Sequence, residues 1–166
     1  MDKRALCNIV SRYDLGHLVA HWPIEHGYVN QTWHVRTAAG RYVLRQRHPS
    51  LSDRTIVLSQ HALMDHLVRA GFPAPRIVTT TSGASFVEHN EKLCEVHTYI
   101  RGKLCDATNP IHVQQAARTL GHYHQIVQEY RDPVLDRDQP RYGPSALRQI
   151  VDLLTDRVSA VARFQG

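Results

Sequence analysis

The feature that most constrains the fold is a series of strand-forming segments between residues 17 and 47. Segments 17–22, 28–37 and 41–47 are rich in Val, Tyr, Trp and Thr, which favour extended backbone. The last two are joined by Ala38-Ala39-Gly40, a connection short enough for a hairpin. The sequence therefore predicts three consecutive antiparallel strands.

Two helices are predicted around these strands. Residues 3–13 show apolar side chains at helical spacing, which indicates a short amphipathic helix before the first strand. Residues 50–53 are Ser-Leu-Ser-Asp, a set of capping residues, and the apolar pattern that follows continues to Val68. Gly71 is expected to end this second helix, and the prolines at 73 and 75 prevent the helix from continuing beyond it.

Further strands are predicted beyond that helix. Segments 76–81 and 85–89 flank Ser82-Gly83 as a hairpin, and residues 94–100 form one more strand. Five or six antiparallel strands plus one embedded helix make a compact α+β small lobe. We place its boundary at residue 101, so that the predicted domains are 1–101 and 102–166.

The second domain is predicted to be helical. Asn109-Pro110 combines a capping residue with a proline suited to the first turn. The apolar face of this helix comprises Val113, Ala116, Ala117, Leu120, Tyr123, Ile126, Val127 and Tyr130. A Pro- and Asp-rich loop follows, and Pro144 opens another helix. Two helices cannot close a lobe by themselves, so this domain reads as the start of a larger one.

Composition narrows the function classes. The net charge of +5 is spread along 166 residues with acidic groups between the basic ones, which argues against a nucleic-acid surface. No apolar run approaches the length of a membrane span, so a cytoplasmic protein is expected. The three cysteines have no paired spacing, and the histidines have none that suits a shared metal ion.

The first turn and the third strand carry the best candidates for ligand binding. Gly27 allows a phosphate to approach the backbone closely, and Asn30 on the same turn can donate from its side chain; a plain hairpin turn is the alternative. Val43 and Arg45 share one face of the strand, so Val43 would lie against a purine ring while Arg45 reached the phosphates. A solvated basic strand face is the alternative for Arg45.

Five segments in a fixed order carry a family resemblance. They are His26-Gly27-Tyr28-Val29-Asn30, Arg41-Tyr42-Val43-Leu44-Arg45, the segment from Leu67 to Pro75, the segment from Val96 to Gly102, and the segment from Ala116 to His124. Together they resemble the aminoglycoside phosphotransferase and homoserine kinase-like family over about residues 15 to 130. The resemblance implies a protein-kinase-like fold that binds ATP or GTP with Mg²⁺.

The resemblance also implies roles for individual residues. Arg45 takes the place of the phosphate-binding cation, and Gln60 that of the helix glutamate that usually braces it. Thr98, Tyr99 and Ile100 correspond to the hinge, whose backbone would receive the purine ring. A glutamine can hydrogen-bond an arginine but cannot neutralise it, so the brace at position 60 is expected to be weakened.

The sequence departs from the family in lacking its catalytic residues. No Asp stands in a His-x-Asp-x-x-x-x-Asn loop, and no metal-binding Asp follows one. Asp136 and Asp138 lie near the end of the chain, but they lack the Asn and the neighbouring strand that such a catalytic site requires. We interpret them as part of a solvated loop. We therefore predict no catalytic residue and no Mg²⁺ ligand within this chain.

Three interpretations stay open. The leading one is the amino-terminal portion of an ATP-dependent phosphotransferase acting on a hydroxyl of a small molecule, inactive as this chain alone. The second is a non-catalytic module that binds a nucleotide or a partner, and the third is a basic RNA-associated domain. A fragment would expose the apolar faces of its last helices and self-associate through them.

Overall fold

The computed structural model describes residues 1–25, 29–103 and 105–135. The backbone divides into two compact units, Met1–Tyr130 and Arg131–Gly166, and every helix and strand given below belongs to the first. In the described part of the second unit, Asp132 accepts hydrogen bonds from the amides of Val134 and Leu135. The predicted boundary at residue 101 stays a prediction.

The first helix, α1, spans Lys3–Val10 and is capped by Asp2, whose side chain accepts from the Ala5 amide at 2.8 Å. Its buried residues are Leu6, Ile9 and Val10. The predicted helix is confirmed but ends three residues early. The amides of Arg12 and Tyr13 bond three residues back, to Ile9 and Val10, so the last turn tightens and then stops.

The three predicted strands are confirmed as β1 (Leu18–Pro23), β2 (Gln31–Thr37) and β3 (Arg41–Gln46). They are antiparallel neighbours in that order. A 3-10 turn at Pro49–Leu51 then leads into α2, Arg54–Arg69. Asp53 caps α2, with its Oδ1 3.0 Å from the Ile56 amide, and Gly71 follows the helix end at a φ of +79°.

The remaining strands are β4 (Ile77–Val78), β5 (Val87–His89) and β6 (Lys92–Thr98), which complete a six-stranded antiparallel sheet. The strand order is β1-β2-β3-β6-β4, and β5 also pairs with β6. The α+β fold predicted for the small lobe is confirmed. Strand β6 is an internal strand, bonded to β3 along one edge and to β4 and β5 along the other.

The predicted hairpin between 76–81 and 85–89 is wrong, because both segments pair with β6 rather than with each other. Ile77 lies opposite His97, and Val87 lies opposite Cys94. The tight turn falls instead between β5 and β6, where Asn90 and Glu91 both have positive φ. Around residues 80–84 the backbone closes a local turn, with the Thr80 amide bonded to the Ala84 carbonyl at 2.8 Å.

The hydrophobic core lies between α1 and one face of the sheet. It comprises Leu6, Ile9, Val10, Tyr13, Leu15, Trp33, Val35, Leu44, Cys94 and Val96. Burial raises the pKa of the Cys94 thiol to about 11. Because side chains alternate along a strand, the residues between these core positions on β2, β3 and β6 point to the opposite face.

The third helix, α3, spans Pro110–Gln128, and the Oδ1 of Asn109 caps it by accepting from the Ile111 amide at 3.0 Å. The predicted start is confirmed, and the helix ends before Asp132. Its predicted apolar face is divided: Tyr123 packs against Phe72, whereas Val113 and Leu120 are exposed. Self-association through the exposed part stays a prediction, and the second helix, predicted from Pro144, lies outside the described residues.

None of the helices within the described ranges is long and apolar enough to cross a membrane.

Candidate functional site

The sheet face opposite α1 carries two neighbouring rows of side chains. Cross-strand pairing aligns Trp22, His34, Val43 and His97 in one row. It aligns Thr32, Arg45 and Glu95 in the next. Residues two apart on a strand are separated by about 6.5–7 Å, so a largely aromatic row lies directly beside a charged row.

Two residues of the aromatic row, Trp22 and His34, line a shallow pocket of about 100 Å³ together with Tyr99. The ring centroids of Trp22 and His34 lie 5.8 Å apart, and those of His34 and Tyr99 lie 5.6 Å apart. The Trp22 side chain is exposed. An exposed aromatic surface of this kind can stack on a flat heteroaromatic ring.

The charged row centres on Glu95, which is fully buried. Its Oε1 lies 3.2 Å from Arg45 Nη1. Its Oε2 lies 3.0 Å from Arg47 Nε and 2.7 Å from His61 Nε2. His97 Nε2 lies 3.1 Å from Oε1, which is close enough for an ion pair, but the angle between the two groups does not suit a hydrogen bond.

The surroundings of Glu95 keep it ionised. Burial by itself would raise the pKa of this carboxyl, but the contacts from His61 and His97 and the charge of Arg47 outweigh burial and hold the pKa far below its ordinary value. The two guanidinium charges exceed the single carboxylate charge by one, before any charge on the histidines is counted. The cluster therefore favours a further anion.

Arg45 is the member of this cluster that reaches solvent. Its side chain is 36% exposed, compared with 7% for Arg47 and 0% for Glu95. Arg45 Nη1 is bonded to Glu95, and within the described residues its other N–H groups have no partner. A guanidinium fixed on one side and open on the other can bind an incoming phosphate.

The other predicted phosphate contacts lie in the turn after β1. Gly27 lies outside the described residues. Asn30 is described, and its Oδ1 accepts from the His48 amide at 2.9 Å, which ties this turn to the end of β3. That bond leaves the amide N–H groups of the Asn30 side chain as donors.

The Gln60 side chain bonds to Arg47 and not to Arg45, the residue that it was expected to brace. Its Oε1 accepts from Arg47 Nη1 at 2.9 Å, so α2 contacts the second arginine of the strand rather than the first. The residue of α2 that reaches Glu95 is His61, one position further along.

The predicted hinge offers one free backbone donor. The Thr98 amide donates to the Arg76 carbonyl at 2.9 Å, and Thr98 Oγ1 accepts from the Arg76 amide. The Tyr99 amide faces β3, because it continues the ladder in which Tyr42 pairs with Thr98. Within the described part of the chain, the Ile100 amide has no backbone acceptor and can donate to a ring nitrogen or carbonyl.

Sequence reasoning missed Trp22, His34, Arg47, Glu95 and His97. For the last two a signal existed: strand β6 carries an acid and a histidine at alternate positions among apolar residues. In a central strand, polar residues two apart mark a shared polar face. The roles of Trp22 and His34 required the strand register.

The residues present suit the base and phosphates of a nucleotide, since they combine stacking rings, a free amide and an anchored arginine. For a metal ion the described residues show no group of three or more His, Cys, Asp or Glu side chains that could hold one. The predicted absence of Mg²⁺ ligands from this chain stays a prediction.

The fold matches solved kinases. An amicoumacin kinase in complex with AMP-PNP, Ca²⁺ and Ami superimposes with a TM-score of 0.66 at 18% identity, over 86% of this chain and 43% of that one. A spectinomycin phosphotransferase in complex with ADP and spectinomycin gives a TM-score of 0.59 at 10% identity, over 85% and 44%. The fold is therefore α+β and protein-kinase-like.

Residues 21–165 match the model of the phosphotransferase enzyme family, and the chain belongs to that family. A homoserine kinase of Methylobacillus glycogenes is 32% identical over 68% of this chain and 35% of its own length. A homoserine kinase of Burkholderia mallei is 29% identical over 92% and 42%. The chain thus spans well under half the length of these curated relatives.

Proposed function

We propose that this chain is the nucleotide-binding, amino-terminal portion of an ATP-dependent phosphotransferase that moves the γ-phosphoryl group to a hydroxyl of a small molecule. The observation that carries the proposal is the aromatic row beside the charged row on one sheet face. Their spacing suits a purine on the first row and phosphates over the second. The family, and relatives that are homoserine kinases, support the same conclusion.

The base would bind against the aromatic row. Trp22 and His34 supply stacking surface, and Val43 supplies an apolar contact between them and the hinge. The free amide of Ile100 would donate to the edge of the purine. ATP is the nucleotide that we propose, with GTP as the comparison.

The phosphates would bind over Arg45. Its free N–H groups match phosphate oxygens, and the excess positive charge of the cluster raises the local attraction for an anion. Asn30 would contribute from the turn after β1, and Gly27, outside the described residues, stays a predicted contact. Mg²⁺, when bound, neutralises charge on the phosphates, with ligands that the described residues do not supply.

Binding and transfer require different groups. The residues above would hold and orient the nucleotide, but they do not include a base for the acceptor hydroxyl. We therefore propose that this chain alone binds nucleotide without transferring phosphate. Loss of the positioning and charge stabilisation that drive phosphoryl transfer removes several orders of magnitude in rate.

The test is calorimetry of the 166-residue chain with ATP, GTP, ADP and adenosine. We expect ATP to bind more tightly than adenosine, and Arg45→Ala to abolish the difference while leaving adenosine binding in place. The matched control is Arg36→Ala, which removes the same charge from an exposed position on β2. Absence of saturable nucleotide binding in the parent chain would overturn the proposal.

A second assay separates binding from transfer. The chain is incubated with ATP, Mg²⁺ and homoserine, the acceptor implied by the names of its relatives, and phosphorylated product is sought by mass spectrometry. We expect none from this chain. Product formation would support the phosphotransferase class and contradict the proposed inactivity of the chain alone.

A further inference from the structure

We propose that Glu95, on the internal strand β6, is the positioning residue of Arg45, a role that the resemblance assigns to helix α2. This inference rests on the proposed function, because it concerns how the phosphate-binding arginine is held. It names a strand residue in place of Gln60.

The sheet itself sets the geometry of the pair. Arg45 and Glu95 are directly opposite each other on β3 and β6, and their side chains lie on the same face. Directly opposed residues have Cβ atoms about 4.5–5.5 Å apart, so the backbone ladder fixes the distance between the two side chains. The contact at 3.2 Å is therefore made between two strands, with no residue of α2 between the two side chains.

The two oxygens of Glu95 have different partners. Oε1 faces Arg45 and His97, whereas Oε2 is taken by Arg47 and His61. The ring of His61 is held at its other nitrogen as well, with Nδ1 2.9 Å from Ser85 Oγ. The carboxylate is thus anchored at Oε2, and Oε1 is presented to Arg45 in one orientation.

Helix α2 acts on Arg45 only through other residues. Gln60 bonds to Arg47 and His61 bonds to Glu95, and no hydrogen bond or ion pair between α2 and Arg45 is found in the described part of the chain. The expected helix brace is therefore replaced by a relay in which α2 fixes the carboxylate and the carboxylate fixes the arginine.

The relay leaves Arg45 its attraction for an anion. A glutamate paired with one arginine alone would cancel the charge of that arginine. Glu95 is instead shared between two arginines and stays ionised. Since Arg47 is nearly buried, the excess positive charge is accessible to an anion in solution only at the exposed Arg45. Glu95 thus limits the rotamers of Arg45 without neutralising it.

The test is a double-mutant cycle of Glu95→Gln and Arg45→Ala, with ATP and adenosine as ligands. We expect Glu95→Gln to weaken ATP binding by about tenfold, within the coupling range of residues in contact, and to leave adenosine binding within about twofold. In the Arg45→Ala background the effect of Glu95→Gln on ATP should vanish. A purely structural role would weaken both ligands and persist in that background, which would overturn the inference.

Glu95 is buried, so its substitution can prevent folding. In that case Glu95→Asp, which keeps the charge and shortens the side chain, is compared with Gln60→Ala. A larger loss of ATP affinity for Glu95→Asp supports the strand brace. An equal or larger loss for Gln60→Ala places the brace on α2 and overturns it.

The two proposals fail in different ways. A parent chain that binds neither ATP nor adenosine refutes the proposed function and this inference together. If the parent chain binds ATP through Arg45 but substitution of Glu95 does not change the affinity for ATP, the inference alone is refuted.

Discussion

Arg45 and Glu95 are separated by fifty residues in sequence, yet they are direct cross-strand partners whose Nη1 and Oε1 atoms lie 3.2 Å apart. The pair joins the third strand to the strand that leads into the hinge. It therefore connects the region where we place the phosphates with the region where we place the base.

Trp22→Ala should weaken the binding of ATP and adenosine by a similar factor, because the lost stacking surface contacts only the base. Stacking of a base on an aromatic side chain contributes about 1–3 kcal/mol, which corresponds to a change in affinity of about 5-fold to 160-fold. Calorimetry with both ligands measures the effect. Val19→Ala is the control, since Val19 is as exposed as Trp22 on the same strand. Loss of ATP binding alone would contradict the assignment of Trp22 to the base.

The stability of the protein should fall as the pH drops below about 4.5, the ordinary value for the Glu95 carboxyl. Its pKa is lowered in the folded state, so its contribution is complete above the unfolded pKa and is lost as the pH falls toward the folded pKa. One such group gives a slope of up to about 1.4 kcal/mol per pH unit. Urea unfolding across pH 3–7 measures the slope, and Glu95→Gln should reduce it. Equal slopes in the two proteins would show that Glu95 does not govern acid stability.

Leu44→Ala should lower the free energy of unfolding by about 2–5 kcal/mol, because Leu44 is fully buried between the sheet and α1. Leu58→Ala is the matched control: Leu58 is 53% exposed on α2, and its truncation should change stability by about 0.5 kcal/mol or less. Denaturant unfolding followed by circular dichroism compares them. Similar losses for both would contradict the position of the core.

Two of the three thiols should react rapidly with Ellman's reagent at pH 8. Cys7 and Cys105 are exposed, whereas Cys94 is buried and its pKa is raised to about 11. The thiolate is the reactive form, so Cys94 should react only after denaturation. Cys94→Ala should keep both fast thiols. A third fast thiol in the native protein would show that the face of the sheet packed on α1 opens to solvent.

Local signals were sufficient for most of the helices and strands. Asp53 and Asn109 cap α2 and α3 through bonds to amides two or three residues away, which a sequence window can show. The alternation that places Val43 and Arg45 on one face of β3 is equally local. The predicted hairpin between 76–81 and 85–89 is wrong because both segments pair with β6, at different stretches of the same edge, and the pairing of β4 with β6 is not local.

For the candidate site, the sequence by itself determined the strand β3 and the face that Val43 and Arg45 share, because a period of two residues follows from backbone geometry alone. Only the tertiary structure decided what holds that arginine. Counting along α2 leads to Gln60, but the packing of the helix against the sheet puts Gln60 on Arg47 and His61 on Glu95. The partner of Arg45 depends on the register between β3 and β6, a pairing across fifty residues that is set when the whole sheet assembles.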